Sequence, residues 1–129
     1  LYTQLFVKAG LAEETGKINF DAKNKVLLPK AVYEKSGAKN YHIYNQYIIR
    51  VDKRDELREF LTKNEIGTEI YYPVPFHLQE CFKDLGHKKD DFPISEFSAD
   101  KSLAIPIYPE LSDDQLVYVV ETIKKFFNQ

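Results

Sequence analysis

A single segment of the chain, Tyr41–Val51 with the sequence YHIYNQYIIRV, already narrows the range of possible folds. It is rich in aromatic and β-branched residues, which are typical of β-strands. Side chains alternate between the two faces of a strand, and here neither face would be purely polar. We therefore predict a central strand whose sheet is covered on both sides.

The C-terminal segment carries the clearest helix signal. Ser112 and Gln115 have the spacing of a capping box, in which the serine hydroxyl and the glutamine amide satisfy free backbone N–H groups at the start of a helix. Apolar residues then recur at helical spacing, which predicts one buried helix face. These residues are Leu116, Val119, Val120, Ile123 and Phe127.

Helix-type and strand-type patterns alternate along the rest of the chain. We predict helices over Leu1–Gly10 (with an apolar stripe of Leu1, Leu5 and Val7), Lys53–Lys63 (capped by Asp52), Leu78–Leu85 and Ser95–Lys101, a short apolar run at Val26–Leu28, and strands over Ile66–Tyr72 and Leu103–Tyr108. A chain of 129 residues suits one domain. The order of elements predicts an α/β (α+β) sandwich, in which helices pack on a sheet of three or four strands.

The charge and hydropathy of the chain exclude several classes of partner. The formal net charge is -2 and the pI is about 5.9, so there is no electrostatic basis for binding nucleic acid or an anionic membrane. No apolar run approaches the roughly 20 residues that a membrane helix needs. The single cysteine, Cys81, cannot form an internal disulfide, which predicts a reducing, cytoplasmic setting.

The chain begins at Leu1 and contains no methionine. Loss of an initiator methionine by processing is one interpretation. We favour the other, that these residues are an excerpt from a longer protein.

Motifs for self-contained catalysis are almost absent. The five glycines form no phosphate-binding loop, there is no CxxC or HExxH motif, and the three histidines are too scattered for a metal site. His77 and Cys81 have a helical i,i+4 spacing that would place a thiol beside an imidazole. A small buried hydrophobe is the favoured interpretation of Cys81. Asp90–Asp91 is interpreted as an exposed turn.

The segment Ile66–Gln79, IGTEIYYPVPFHLQ, is the best candidate for a binding site. Its two prolines restrict the backbone without needing N–H partners, so they predict a rigid loop. Tyr71, Tyr72 and His77 on such a loop would present phenol and imidazole groups to a ligand, and tyrosines both stack and form hydrogen bonds. The alternative is that these side chains fill the core and the prolines only terminate a strand.

Several segments, in this order, resemble the DegT/DnrJ/EryC1/StrS family of pyridoxal-phosphate sugar aminotransferases. They are HIYNQYIIRV (42–51), RDELREFL (54–61), IGTEIYYPVPFHLQECFKDLG (66–86), DFPISE (91–96) and LAIPIYPELSDDQ (103–115). The resemblance implies the type I aminotransferase fold, in which a large N-terminal domain holds the cofactor lysine. It further implies that residues 1–129 are the smaller C-terminal domain, because nothing in them matches the strand that precedes that lysine. Pyridoxal phosphate is therefore expected in the full-length protein and is not expected to bind this chain alone.

The family transfers an amino group from glutamate to the keto carbon of a nucleotide-linked sugar, and its members are homodimers. The loop that matches Tyr71-Tyr72-Pro73 lies by the sugar nucleotide in the family, where it often reads His-Tyr-Pro. By the same resemblance, His77 is expected at the edge of the active site, and Asn45 and Gln46 match the family's strand motif as possible substrate-binding residues. A stand-alone, non-catalytic binding module with the same fold is the alternative function.

Overall fold

The computed structural model describes residues 1–128 and forms a layered α/β structure. Within these residues the helices are α1 (Tyr2–Lys8), α2 (Arg54–Lys63), α3 (Pro93–Lys101) and α4 (Asp113–Phe127), the 3₁₀ helices are Phe76–Leu78 and Glu80–Leu85, and the strands are β1 (Val26–Leu27), β2 (Tyr47–Val51) and β3 (Ser102–Ile105). The predicted fold class is confirmed.

The three strands described in residues 1–128 form one antiparallel sheet in the order β1-β2-β3. The central position predicted for β2 is therefore confirmed. Its alternate residues Tyr47, Ile49 and Val51 are buried in the main apolar core. This core also contains apolar residues of α1, α2 and α4, which pack together on one side of the sheet.

The second face of the sheet carries Ile48 and Arg50, which are partly buried and lie opposite Ala104 and Ser102 in the register. Helix α3 covers part of this face, and the Arg50 guanidinium lies 6.0 Å from the centre of the Phe97 ring. Because α3 covers it only in part, a space remains beside the helix on this side of the sheet.

Three predicted strands are shorter than expected. Residues 41–46 lie outside β2 because Asn40 and Tyr44 adopt left-handed φ angles of 56° and 47°, which interrupt an extended strand. The segment Ile66–Tyr72 forms only one isolated bridge, between Glu69 and Ala104. Beyond it, the Ile70 N–H donates to the Glu69 side chain, at 2.8 Å, in place of a strand partner. β3 likewise ends at Ile105, before Pro106, and not at Tyr108.

Three helix predictions also require correction. In α1 the buried side chains are Tyr2 and Phe6, while Leu1 and Val7 of the predicted stripe are exposed. The N-cap of α2 is Lys53 and not Asp52. The Asp52 carboxylate instead accepts a hydrogen bond from the Lys101 ammonium at 3.0 Å.

The helix predicted over Leu78–Leu85 is replaced by the two 3₁₀ helices, which meet at the extended residue Gln79. This break removes the i,i+4 geometry that would bring His77 and Cys81 together. Cys81 is exposed, so its interpretation as a buried hydrophobe is wrong.

The C-terminal helix agrees with its sequence pattern. The Gln115 N–H donates to Ser112 Oγ at 3.3 Å, and the Ser112 N–H donates to Gln115 Oε1 at 2.9 Å, which confirms the capping box. Leu116, Val119, Val120 and Ile123 are buried, and Phe127 is partly buried against the same core.

Candidate functional site

The loop that follows the Glu69–Ala104 bridge carries Tyr71 and Tyr72 into solvent. Their side chains are 48% and 71% exposed, so the alternative in which they fill the core is excluded. Pro73 follows at once, and Pro75 precedes the 3₁₀ helix Phe76–Leu78. Both prolines have a fixed φ angle, which restricts the path of the loop beside the two phenol rings.

A first cavity of about 280 Å³ lies between this loop, the second face of the sheet and α3. Ile48 and Ala104 line it from the sheet, and Tyr71, Tyr72 and Phe76 line it from the loop. Helix α3 and the start of β3 add Ala99 and three serines, namely Ser95, Ser98 and Ser102. The cavity is thus mainly apolar, with a few hydroxyl groups and the acidic residue Glu69, and a mainly apolar lining with a few polar groups is usual for small-molecule sites.

A second cavity of about 370 Å³ lies on the other side of Tyr71. Asn45 and Gln46, just before β2, line it together with Thr68 and Tyr108. The Thr68 hydroxyl oxygen is buried and has no hydrogen-bond partner among the described residues. Amide, phenol and hydroxyl groups at one place provide both donors and acceptors, which suits a polyhydroxylated ligand.

Four of the five residues predicted for the site are therefore brought together. Tyr71 borders both cavities, Tyr72 borders the first, and Asn45 and Gln46 border the second. Thr68 also lines the second cavity but was not predicted. Its sequence offers only a weak signal, namely that it is a polar residue directly beside the loop.

His77 has a different environment. It is buried, and its Nε2 lies 2.9 Å from Glu96 Oε1 at the start of α3. The same carboxylate oxygen accepts hydrogen bonds from the backbone N–H groups of Asp90 at 2.8 Å and Phe92 at 3.4 Å. The His77 ring also packs on the Phe92 ring, with centres 4.8 Å apart. His77 lines neither cavity, so its contact with a ligand remains a prediction.

Glu96 has no signal in the sequence, because no local pattern links it to His77, 19 residues earlier. Burial acts to raise the pKa of the Glu96 carboxyl. The hydrogen bonds from His77 and from the backbone of Asp90 and Phe92 outweigh that effect and hold its pKa below the usual range.

The lowered pKa predicts a pH dependence of stability. A carboxyl with a lowered folded-state pKa stabilises the fold above its unfolded-state pKa, and this contribution is lost as the pH falls through the folded-state value. We expect the urea midpoint of the chain to fall between about pH 6 and about pH 3, and to fall less in a Glu96→Gln variant.

Glu80→Gln is the matched control, because the Glu80 side chain is 84% exposed and contacts the surface residue Lys83. An equal fall of the urea midpoint in the wild-type chain and the Glu96→Gln variant would contradict the role given to Glu96.

Charge and cofactor chemistry limit what the cavities can hold. Neither cavity is lined by a lysine or an arginine. Pyridoxal phosphate is held covalently by a lysine amine, so the residues that line the two cavities do not fit its attachment site.

Within residues 1–128, no group of three or more His, Cys, Asp or Glu side chains is arranged to hold a metal ion. None of the helices in that range is long and apolar enough to cross a membrane.

Comparison with known proteins confirms the resemblance seen in the sequence. A sequence model of the DegT/DnrJ/EryC1/StrS aminotransferase family matches residues 21–124. The pleiotropic regulatory protein of Geobacillus stearothermophilus is 47% identical over 87 residues, which cover 67% of this chain and 23% of that protein. The dTDP-3-amino-3,4,6-trideoxy-alpha-D-glucose transaminase of Streptomyces venezuelae is 30% identical over 84 residues, which cover 65% of this chain and 22% of that protein.

Solved structures share the fold. The crystal structure of S. venezuelae DesV superposes with a TM-score of 0.73 at 24% identity, over 99% of this chain and 31% of that one. This chain therefore spans less than a third of the relatives that it matches, at 22% to 31% of their lengths. Since the family model covers most of its residues, the chain belongs to the DegT/DnrJ/EryC1/StrS aminotransferase family.

Proposed function

We propose that this chain is the C-terminal small domain of a nucleotide-sugar aminotransferase. We further propose that the loop that carries Tyr71 and Tyr72, the tyrosine loop, forms part of the substrate site. The observation that carries this proposal is the position of Tyr71 between two cavities. One cavity is mainly apolar, the other presents amides and hydroxyls, and the acidic residue Glu69 lines both. A sugar joined to a nucleotide has apolar ring faces and many hydroxyl groups, so it requires both kinds of surface.

The residues of the chain have separable tasks in this proposal. The exposed Tyr71 and Tyr72 rings stack against the ligand and their hydroxyls donate hydrogen bonds to it. Asn45 and Gln46 bind polar groups in the second cavity. No lysine or arginine lines either cavity, so the diphosphate charge is balanced by groups elsewhere in the full-length protein.

The rest of the reaction belongs to the larger protein. Pyridoxal phosphate, held there by a lysine, supplies the electron sink for amino transfer. Glutamate is the proposed amino donor and a homodimer the proposed assembly, both by analogy with the family. The single cysteine favours a reducing, cytoplasmic location.

The test is the affinity of the full-length protein for dTDP-linked keto-sugar and for dTDP alone, measured by titration calorimetry. In Tyr72→Phe we expect the dissociation constant of the nucleotide sugar to rise about tenfold, because one hydrogen bond to a polar or charged group is lost.

Tyr33→Phe is the matched control, since Tyr33 is 68% exposed and borders neither cavity. Equal affinities in wild type, Tyr72→Phe and Tyr33→Phe would remove Tyr72 from the site. Tight binding of the nucleotide sugar by this chain alone, without transaminase activity, would favour the stand-alone binding module.

A further inference from the structure

We infer that Glu96 is a positioning residue for nucleotide-sugar binding, acting through His77 on the loop that carries Tyr71 and Tyr72. This inference rests on the proposed function of that loop. Glu96 does not border either cavity, so its effect on a ligand is indirect.

Three nitrogen atoms from two segments of the chain converge on one oxygen atom of Glu96. Glu96 Oε1 accepts hydrogen bonds from the backbone N–H groups of Asp90 and Phe92 and lies 2.9 Å from His77 Nε2. We call this group of contacts the Glu96 clamp. The side chains of His77 and Glu96 are only 6% and 15% exposed, so water competes weakly for their contact. The clamp therefore ties the 3₁₀ helix Phe76–Leu78 to the start of α3.

The Glu96 clamp is connected to the first cavity through the backbone of the loop. His77 directly follows Phe76, and Val74, Pro75 and Phe76 all line that cavity together with Tyr72. The Gln79 side-chain amide donates to the Val74 carbonyl oxygen at 3.2 Å, which closes the loop on itself. Two prolines leave the loop few ways to absorb a movement of His77. A displacement of His77 is thus passed on to Phe76 and to the phenol ring of Tyr72.

The negative charge of Glu96 strengthens the hydrogen bonds of the clamp. A carboxylate oxygen can accept several charge-assisted hydrogen bonds, whereas an amide oxygen is a weaker acceptor. Glu96→Gln keeps the size and shape of the side chain and removes its charge. It weakens the clamp without opening a cavity in the core.

The experiment uses the full-length protein with Glu96→Gln and, as the matched control, Glu121→Gln, which removes the same charge from an exposed residue of α4 that borders neither cavity. Hydrogen–deuterium exchange is measured for the peptides that contain residues 71–79 and 87–92. Binding of dTDP and of its keto-sugar is measured by calorimetry, and steady-state kinetics give KM separately for the nucleotide sugar and for L-glutamate.

In Glu96→Gln we expect faster exchange in both peptides and a KM for the nucleotide sugar raised about fivefold to tenfold. The KM for L-glutamate should stay within about twofold of wild type, a selectivity that general destabilisation would not produce. His77→Gln should reproduce the effect, and the double variant should add little to either single change. Glu121→Gln should behave as wild type.

The inference is overturned if Glu96→Gln leaves exchange and both KM values unchanged, or if it raises the two KM values equally. Loss of cooperative unfolding in both Glu96→Gln and His77→Gln would also overturn it, because the contact would then serve the fold as a whole. Comparison with Tyr72→Phe separates the two proposals. If Tyr72→Phe weakens binding and Glu96→Gln does not, only the positioning role fails; if neither does, the proposed function of the loop fails.

Discussion

Replacing Val120 by aspartate is expected to remove a large part of the stability of the chain. Val120 is 2% exposed and lies on the buried face of α4, within the main apolar core. An aspartate there would either bury an unpaired carboxylate or remain protonated at neutral pH, and both cost free energy. We expect the free energy of unfolding to fall by more than about 4 kcal/mol, a large part of the roughly 5–15 kcal/mol typical of a whole domain.

Val117→Asp provides the matched control, because Val117 lies on the same helix and is 42% exposed. It should change the free energy of unfolding by less than about 0.5 kcal/mol. Urea unfolding followed by circular dichroism compares the two variants. A cooperative transition in Val120→Asp at the wild-type midpoint would contradict the packing of α4 described above.

Removing both phenol rings of the loop should have the largest effect on substrate binding. In the full-length protein, we expect Tyr71→Ala combined with Tyr72→Ala to lower kcat/KM for the nucleotide sugar more than about 100-fold. Both rings are exposed and line the first cavity, so their loss removes contact surface without emptying the core. The KM for L-glutamate should remain near the wild-type value, because the donor makes none of these contacts in the proposal.

A double variant of two other exposed tyrosines, Tyr33→Ala with Tyr118→Ala, is the control for aromatic loss in general. Both side chains lie outside the two cavities, and Tyr118 donates one hydrogen bond to the Asn64 carbonyl oxygen at 3.2 Å. Equal losses of kcat/KM in the two double variants would show that the tyrosine loop has no special place in substrate binding.

The elements that the sequence predicted well are those whose signals are local. The capping box of Ser112 and Gln115 and the apolar spacing along α4 depend on residues only a few positions apart, and both are confirmed. The centre of β2 was also predictable, because its residues need apolar partners on both faces. In α1, by contrast, Leu1 and Leu5 have the same i,i+4 spacing as Tyr2 and Phe6, so periodicity alone could not choose the buried pair.

The remaining errors arise where tertiary contacts decide. Tyr44 favours strands by propensity, yet it adopts a left-handed φ angle before β2 begins. In the candidate site, the exposed loop of Tyr71 and Tyr72 could be predicted because the tyrosines and the neighbouring prolines lie together in the sequence. Glu96 was not found, since its contact with His77 forms only when α3 packs against the preceding 3₁₀ helix.

The bridge between Glu69 and Ala104 also bears on how the chain resists self-association. β3 is an outer strand, and an uncovered outer strand offers free N–H and C=O groups to a strand of another molecule. Here the Ala104 N–H donates to the Glu69 carbonyl oxygen at 2.9 Å and the Glu69 N–H donates to the Ala104 carbonyl oxygen at 3.1 Å. Pro106, which has no N–H group, follows the end of the strand at once. Glu69, which leads into the tyrosine loop, thus pairs with Ala104 of β3. The same backbone pairing that places the loop covers this edge of the sheet against strands of other molecules.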